Sequence, residues 1–236
     1  MKKVFFSIFL ASLTLLNAKF LEYKAEIISI EGSIATIKNS PNVKIGSSGV
    51  VIHNYSNKHS TIVAKAIAID KDSNYIKIKF LKFSDLQQDV LPVPVILPSV
   101  GDTVILNYLY NHALAITPNF KTYKEVIAKH KDINWLHPDL FAAKLFTDSN
   151  PSPNREDFQN ICKDYSFALL YFAIDQNGYF VDCNSFKILN HENLDTKEDK
   201  FILPFYSRIK DIDTSLFNFG KSKIENYNNY YKMLLR

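Results

Sequence analysis

Cys162 and Cys183 are the only cysteines in the 236-residue chain, and their chemistry depends on what surrounds them. Two thiols without a CxxC spacing, and without a histidine pair at ligand spacing, cannot assemble a zinc site alone. An even pair in an exported chain argues for one disulfide. The six histidines, His53, His59, His112, His130, His137 and His191, are scattered along the chain; none pairs at i, i+4, and no HExxH occurs. No GxSxG surrounds a serine, and a disulfide leaves no free thiol as a nucleophile. Asp139, Asp157 and Asp182 are the carboxylates that folding could still bring together. On this basis no catalytic residue, metal ligand, cofactor or small-molecule substrate is assigned, and the chain is expected not to be an enzyme.

Two further stretches imitate known motifs without their context. His137-Pro138-Asp139 is the tripeptide that DnaJ-type cochaperones place between helices, but the signature helix they need upstream is strand here. Pro138 and Asp139 suit the first turn of a helix for ordinary reasons, since that turn needs no donor at its first position and favours negative charge. Gly46-Ser47-Ser48-Gly49 lacks the Lys-Ser/Thr of a phosphate-binding loop and precedes a strand instead of a helix. A turn with permissive backbone positions accounts for it, and Gly46, Gly49 and Gly101 are expected to be limited by backbone geometry.

The elements that must hold these residues change character near Gly101. From Phe20 to Ile69 the chain alternates strand and turn, with Glu31-Gly32 a tight hairpin. Tyr75–Phe80 alternates apolar and basic, so Ile76, Ile78 and Phe80 face a core while Lys77 and Lys79 face water. With Thr103–Leu109 this makes about six short strands, and a small antiparallel barrel or sandwich is the closure that removes exposed edges. Val90–Pro98, with three prolines, is an extended crossing segment because proline donates no backbone hydrogen bond. Beyond Thr117-Pro118-Asn119 the period becomes helical: a helix over 122–131 with a capping box at Thr122 and Glu125, a second from His137-Pro138-Asp139, a third from Asn154 to Tyr165. Phe167–Ile174 is a continuous apolar run that should be buried on both faces. Asp175-Gln176-Asn177-Gly178 turns it into a returning strand, Tyr179–Leu189, and Cys183 would staple this hairpin to the third helix. Asn190–Lys200 reads as a surface loop, and Ser222–Glu225 as a capping box before a final amphipathic helix. The fold class is thus α+β: a barrel over 19–100, then an α/β part over 101–236 with three helices and a C-terminal hairpin, residues 101–110 being shared as the closing strand.

Met1-Lys2-Lys3 and the apolar Val4–Leu16 form the basic and hydrophobic regions of a signal peptide ending at Ala18. The protein is therefore expected to be exported to the periplasm, the outer membrane or the cell surface. Removing residues 1–18 lowers the formal charge from +4 to +2. Lysines and acids are interspersed, which argues against a nucleic-acid partner. The 13 tyrosines and 18 phenylalanines belong mostly to strands and core, and Tyr227, Tyr230 and Tyr231 either form a binding face or pack the last helix on its own domain.

Four blocks, VKIGSSGVVIH (43–53), GDTVILNYLYNHALAITPN (101–119), HPDLFAA (137–143) and FVDCNSFKIL (180–189), together resemble the N-terminal domain of the plasminogen-binding protein family of epsilonproteobacteria. The resemblance implies a non-enzymatic envelope or surface protein that binds host plasminogen; the alternative is a periplasmic component of an envelope protein complex. Family members carry a Lys/Glu-rich extension ending in lysine, whereas this sequence stops at Met233-Leu234-Leu235-Arg236. Kringle domains grip a cation and a carboxylate at lysine length, with aromatic rings along the stem. The binding residues implied are Arg236, Lys232, Lys221 and Lys223, the last two beside Glu225.

Overall fold

The structure is a computed structural model that describes residues 20–56, 59–83, 96–195, 200–209 and 223–236. The expected signal peptide, most of the proline-rich stretch and Lys221 lie outside the described residues.

Six strands form the first unit of architecture: β1 (Tyr23–Glu31), β2 (Ile34–Lys38), β3 (Ser48–Ser56), β4 (His59–Lys71), β5 (Tyr75–Leu81) and β6 (Thr103–Leu106). They pair antiparallel and close into a barrel in the order β1-β2-β5-β4-β3-β6. Period-two alternation does the sorting. Ile76 and Ile78 are fully buried between exposed Lys77 and Lys79. Every second residue of β4 that points inward is alanine, Ala64, Ala66 and Ala68, packed against Ile27, Ile37 and Val104. Small side chains on one wall let so few strands close around a filled interior. At the seam, a Cβ on Gly49 would stand 1.9 Å from the Ile105 carbonyl oxygen, so β3 approaches β6 only because residue 49 has no side chain. Gly46 and Gly101 take φ of +95° and +90°, as their turns require; Gly49 is limited by this contact instead.

The next strands build a second sheet in the order β11-β10-β9-β7-β8: β7 (His112–Ile116), β8 (Asn134–Leu136), β9 (Leu169–Ile174), β10 (Asn177–Asp182) and β11 (Ile188–Asn193). β7 runs parallel to both β8 and β9, and β9, β10 and β11 form an antiparallel meander. β9 is buried at all six positions, which its uninterrupted apolar sequence demands of a strand covered on both faces. Leu170, Phe172 and Ile174 point to a core completed by α2 (Pro138–Thr147), α3 (Arg155–Asp164) and α4 (Tyr227–Leu234). Leu169, Tyr171 and Ala173 point to the opposite core, closed by Val126 of α1 (Phe120–Lys129). The architecture is α+β, a closed barrel joined to a sheet layered between helices.

Several local boundaries differ from the sequence reading, each for a capping or turn reason. α1 starts earlier because Asn119 is its cap: Asn119 Oδ1 accepts from the Thr122 N–H at 2.9 Å, which places Thr122 inside the first turn. The hairpin turns at Asp175-Gln176, both at positive φ (48° and 61°), and Asn177-Gly178 belong to β10. Gly178 is needed there because a Cβ would stand 1.7 Å from the Tyr171 hydroxyl. The returning strand ends at Asp182, and Ile188–Asn193 is a further strand, so Asn190–Asn193 of the expected surface loop pair with β10. The final helix is capped by Asn226, whose side chain accepts from the Asn229 N–H at 2.9 Å, so Ser222–Glu225 is not its capping box.

Candidate functional site

The binding residues suggested by the sequence gather around α4, to the extent that they are described. Lys223 precedes the helix and is exposed; Lys232 lies in its last turn, exposed and ion-paired with Asp175; Arg236 follows it, exposed. The opposite face of α4 carries Tyr227 and Tyr231, both buried against the sheet, and Ile224 just before the helix is buried as well. Tyr227 donates its hydroxyl to the Ile116 carbonyl at 3.0 Å and Tyr231 to the Pro204 carbonyl at 2.9 Å. Half-buried Tyr230 donates to Pro153. The tyrosines therefore anchor the helix, while its outer face offers amides and cations. Arg155 Nε donates to the Leu234 carbonyl at 2.8 Å and fixes the far end.

Open α/β sheets receive ligands at the carboxyl ends of parallel strands, where the strand order reverses. Here that point is the end of β7, between β8 and β9, and the chain fills it with its own residues 200–209. Ile202 and Tyr206 donate their N–H groups to Pro118 and Thr117 carbonyls, both at 2.7 Å. Phe205 is fully buried and stacks on Phe141 with centroids 5.4 Å apart. Arg208 clamps the far side through its N–H and Nε to Asp139, at 2.8 and 2.6 Å. Asp139 is held below the usual carboxylate range: burial opposes this, and the Arg208 bonds and the His137 ring outweigh it.

Nor do the three candidate carboxylates converge. Asp139 serves this clamp, Asp157 closes the capping box of α3 with Asn154, and Asp182 lies at the junction of barrel and sheet. Asp182 is fully buried. Its Oδ2 accepts from the Ser48 hydroxyl at 2.5 Å, the Tyr110 hydroxyl at 2.6 Å and the Ser48 N–H at 3.2 Å, and its Oδ1 from the Ser185 N–H at 2.6 Å. Burial pushes its pKa up despite the bonds from Ser185, Ser48 and Tyr110, and the same burial with the facing carboxylate raises Tyr110. Beside it Ser185 donates to the Gly46 carbonyl at 2.6 Å. This role was not read from the sequence, although an aspartate inside Phe180-Val181-Asp182-Cys183 was its signal. The disulfide Cys162–Cys183 stands alongside, joining α3 to the end of β10.

A second polar group, built on buried His130 and Tyr171 with partly exposed Glu192 and Lys129, has the parts of an acid–base relay. His130, 2% exposed, places Nε2 at 2.7 Å from Glu192 Oε1, which also accepts from the Tyr171 hydroxyl at 2.8 Å; Lys129 pairs with Oε2 at 3.1 Å. These contacts tie the end of α1 to β11. Among the described residues no group of three or more His, Cys, Asp and Glu is placed to hold a metal ion, and no helix is long and apolar enough to cross a membrane.

The fold and surface together define an α+β protein whose β7 end is covered by residues 200–209 and whose last helix and its flanks expose Lys223, Lys232 and Arg236. Residues 22–235 match the family described as plasminogen-binding protein pgbA N-terminal, and the chain belongs to that family. Two curated relatives, both named plasminogen-binding protein PgbA, come from Helicobacter pylori strains J99 and 26695. Each is 28% identical over 197 residues, covering 82% of this chain and 43% of its own length. The chain thus spans about two fifths of the curated relatives it matches.

Proposed function

We propose that this chain is an exported, non-enzymatic protein of the cell envelope, in the periplasm, at the outer membrane or on the surface, and that it binds plasminogen. Family membership over nearly the whole chain, with relatives that carry that name, is the observation that supports the reading. The sealed carboxyl end of the sheet supports it further, since the usual ligand position of such folds is taken up by residues 200–209. The contact groups in this reading are the cations around α4: Lys223, Lys232 and Arg236 among the described residues, and Lys221 beside them in sequence. Lys223 near Glu225 offers the opposite charges that a lysine-binding pocket accepts, while Lys232 would have to leave its ion pair with Asp175 to engage one.

The test is a biosensor measurement with immobilised plasminogen and the purified chain beginning at Lys19. The expected result is weak, saturable binding that 6-aminohexanoate suppresses and that replacing the four cations by alanine reduces. Absence of binding would overturn the reading. Binding that persists in excess analogue would retire the cations and place the contact elsewhere. Protease shaving of intact cells, with loss of the protein expected, tests exposure at the surface separately from binding.

A further inference from the structure

Exposed apolar side chains gather on one rim of the barrel. Leu97 and Val100, 75% and 64% exposed, lie in the turn that leads into β6; Ile28 of β1 is 50% exposed and Tyr55 of β3 53%. Hydrogen bonds bring the four together. The Gly101 N–H donates to the Ile27 carbonyl at 3.0 Å and the Ile27 N–H to the Asp102 carbonyl at 2.9 Å, so the turn lies against the residue before Ile28. On its other side His53 Nδ1 stands 2.7 Å from Asp102 Oδ1, and the rings of His53 and Tyr55 meet edge-on with centroids 5.0 Å apart. The Ser99 N–H donates to Asp102 Oδ2 at 2.8 Å. Buried Asp102 therefore holds the turn from inside, while Leu97 and Val100 stay in water.

Ile28 faces outward for a local reason. Ile27 pairs with Ile37 and Ser29 with Thr36, so Ile28 is an extra residue in the β1–β2 ladder, and such bulges re-aim a side chain. The turn residues 96–101, Ile-Leu-Pro-Ser-Val-Gly, carry no charge. Single exposed hydrophobes are ordinary, but a contiguous group marks a contact surface. Four side chains at these exposures present on the order of 400 Å², about half of the ~800 Å² that each partner contributes to a stable protein pair. A second copy is thus short of area. The side chains also stand at the apex of a turn and a bulge, which suits a partner that yields around protruding aliphatic groups. A bilayer does so, and Tyr55 has the apolar body and polar tip favoured at its interface. From this rim β6 runs to Leu106, beyond which the chain enters the second sheet, so a surface met here lies at the far end of the barrel from that sheet.

We propose that this rim docks the protein on a lipid bilayer, with Leu97 and Val100 entering the acyl boundary, Ile28 beside them and Tyr55 at headgroup level. The attraction is apolar, and Glu26 is exposed two positions before Ile28, so docking does not depend on anionic lipid and is not weakened by salt. The chain beginning at Lys19 is sedimented with sucrose-loaded phosphatidylcholine vesicles at millimolar lipid. The bound fraction should rise with lipid, hold when sodium chloride is raised, and correspond to a partition coefficient at least about tenfold lower in Leu97→Glu/Val100→Glu. Thermal melting of that variant should match the parent, since both side chains already lie in water; should it not, Leu97→Gln, expected to lower the partition coefficient severalfold, decides alone. Plasminogen binding by the same variant should be unchanged, which separates this contact from the cations around α4. Absence of co-sedimentation, equal partition of the variant, or binding that requires phosphatidylglycerol and vanishes in salt would each overturn the proposal. So would a dimer in sedimentation velocity that the substitutions abolish, because the rim would then pair with a second copy.

Discussion

Asp182 shows how one side chain can hold two architectures together and leave a trace in solution. It brings four donors to one buried carboxyl group, from the barrel at Ser48, the linking turn at Tyr110 and the far turn at Ser185. Truncation to alanine strands these donors in the interior, and we expect Asp182→Ala to cost about 3 kcal/mol or more in denaturant unfolding. Its pKa is raised by burial, so between the ordinary aspartate value, about 3.9, and the raised one, the native state still holds a proton that the unfolded state has lost. Stability therefore falls as pH rises across that window and is flat above it. Asp182→Asn should lack this fall, so its penalty against the parent shrinks with rising pH; a constant difference would mean Asp182 does not titrate in the fold. Glu192 has the opposite sign. Burial alone would raise it, but the bonds from His130, Tyr171 and Lys129 hold it below the usual range. Its stabilisation is complete above the ordinary glutamate value and is lost as pH falls through the lowered one. Glu192→Gln should therefore cost about 1 to 3 kcal/mol near neutrality and progressively less in acid. Growth of the penalty on acidification would contradict the assigned direction.

At the scale of elements, the disulfide joins α3 to the strand β10 across a sequence separation of 21. In the chain-entropy account a loop of this size contributes about 3 kcal/mol. Replacing both cysteines by serine should lower the unfolding midpoint and raise hydrogen exchange in α3 more than in β4, which the bond does not touch; equal exchange in both would remove its role in docking the helix. This pairing was legible in the sequence because two cysteines in an expected exported chain have one partner each. So were the barrel, from period-two alternation at Ile76–Phe80, and β9, from an apolar run too long to leave a face in water. Boundaries set by one side chain were not. Both Asn119 and Thr122 can cap a helix, and only the bond from the Thr122 N–H to Asn119 decides between them. Asn177-Gly178 carries a strong turn signal, yet Gly178 is required by the Tyr171 hydroxyl across the strand, a tertiary demand with no local mark. The junction at Asp182 depends on residues 134 positions apart, which no spacing rule reaches. Of the cations proposed to bind, Lys232 and Lys223 could be placed on an exposed surface only once Asn226 was known to cap α4.

For the molecule as a whole, barrel and sheet are joined by more than the short connection between β6 and β7. Asn107, at φ 57° within that connection, donates to the Leu21 and Asn42 carbonyls at 2.9 and 3.2 Å, pinning the turn to the barrel. Lys65 reaches Asn184, Ser185 reaches Gly46, and Asp182 is buried between Ser48 and Tyr110. A carboxyl group at such a seam makes separation costly, because opening either side strands buried donors on the other. An interface held only by exposed pairs would let each part melt alone. The intact chain should therefore unfold in one calorimetric transition, with van't Hoff and calorimetric enthalpies equal. In Asp182→Ala the same seam holds stranded donors and no acceptor, and the transition should broaden or divide as barrel and sheet uncouple. Two resolved transitions in the parent protein would show that the seam contributes little, and Asp182 would then be a local feature of the β10 turn.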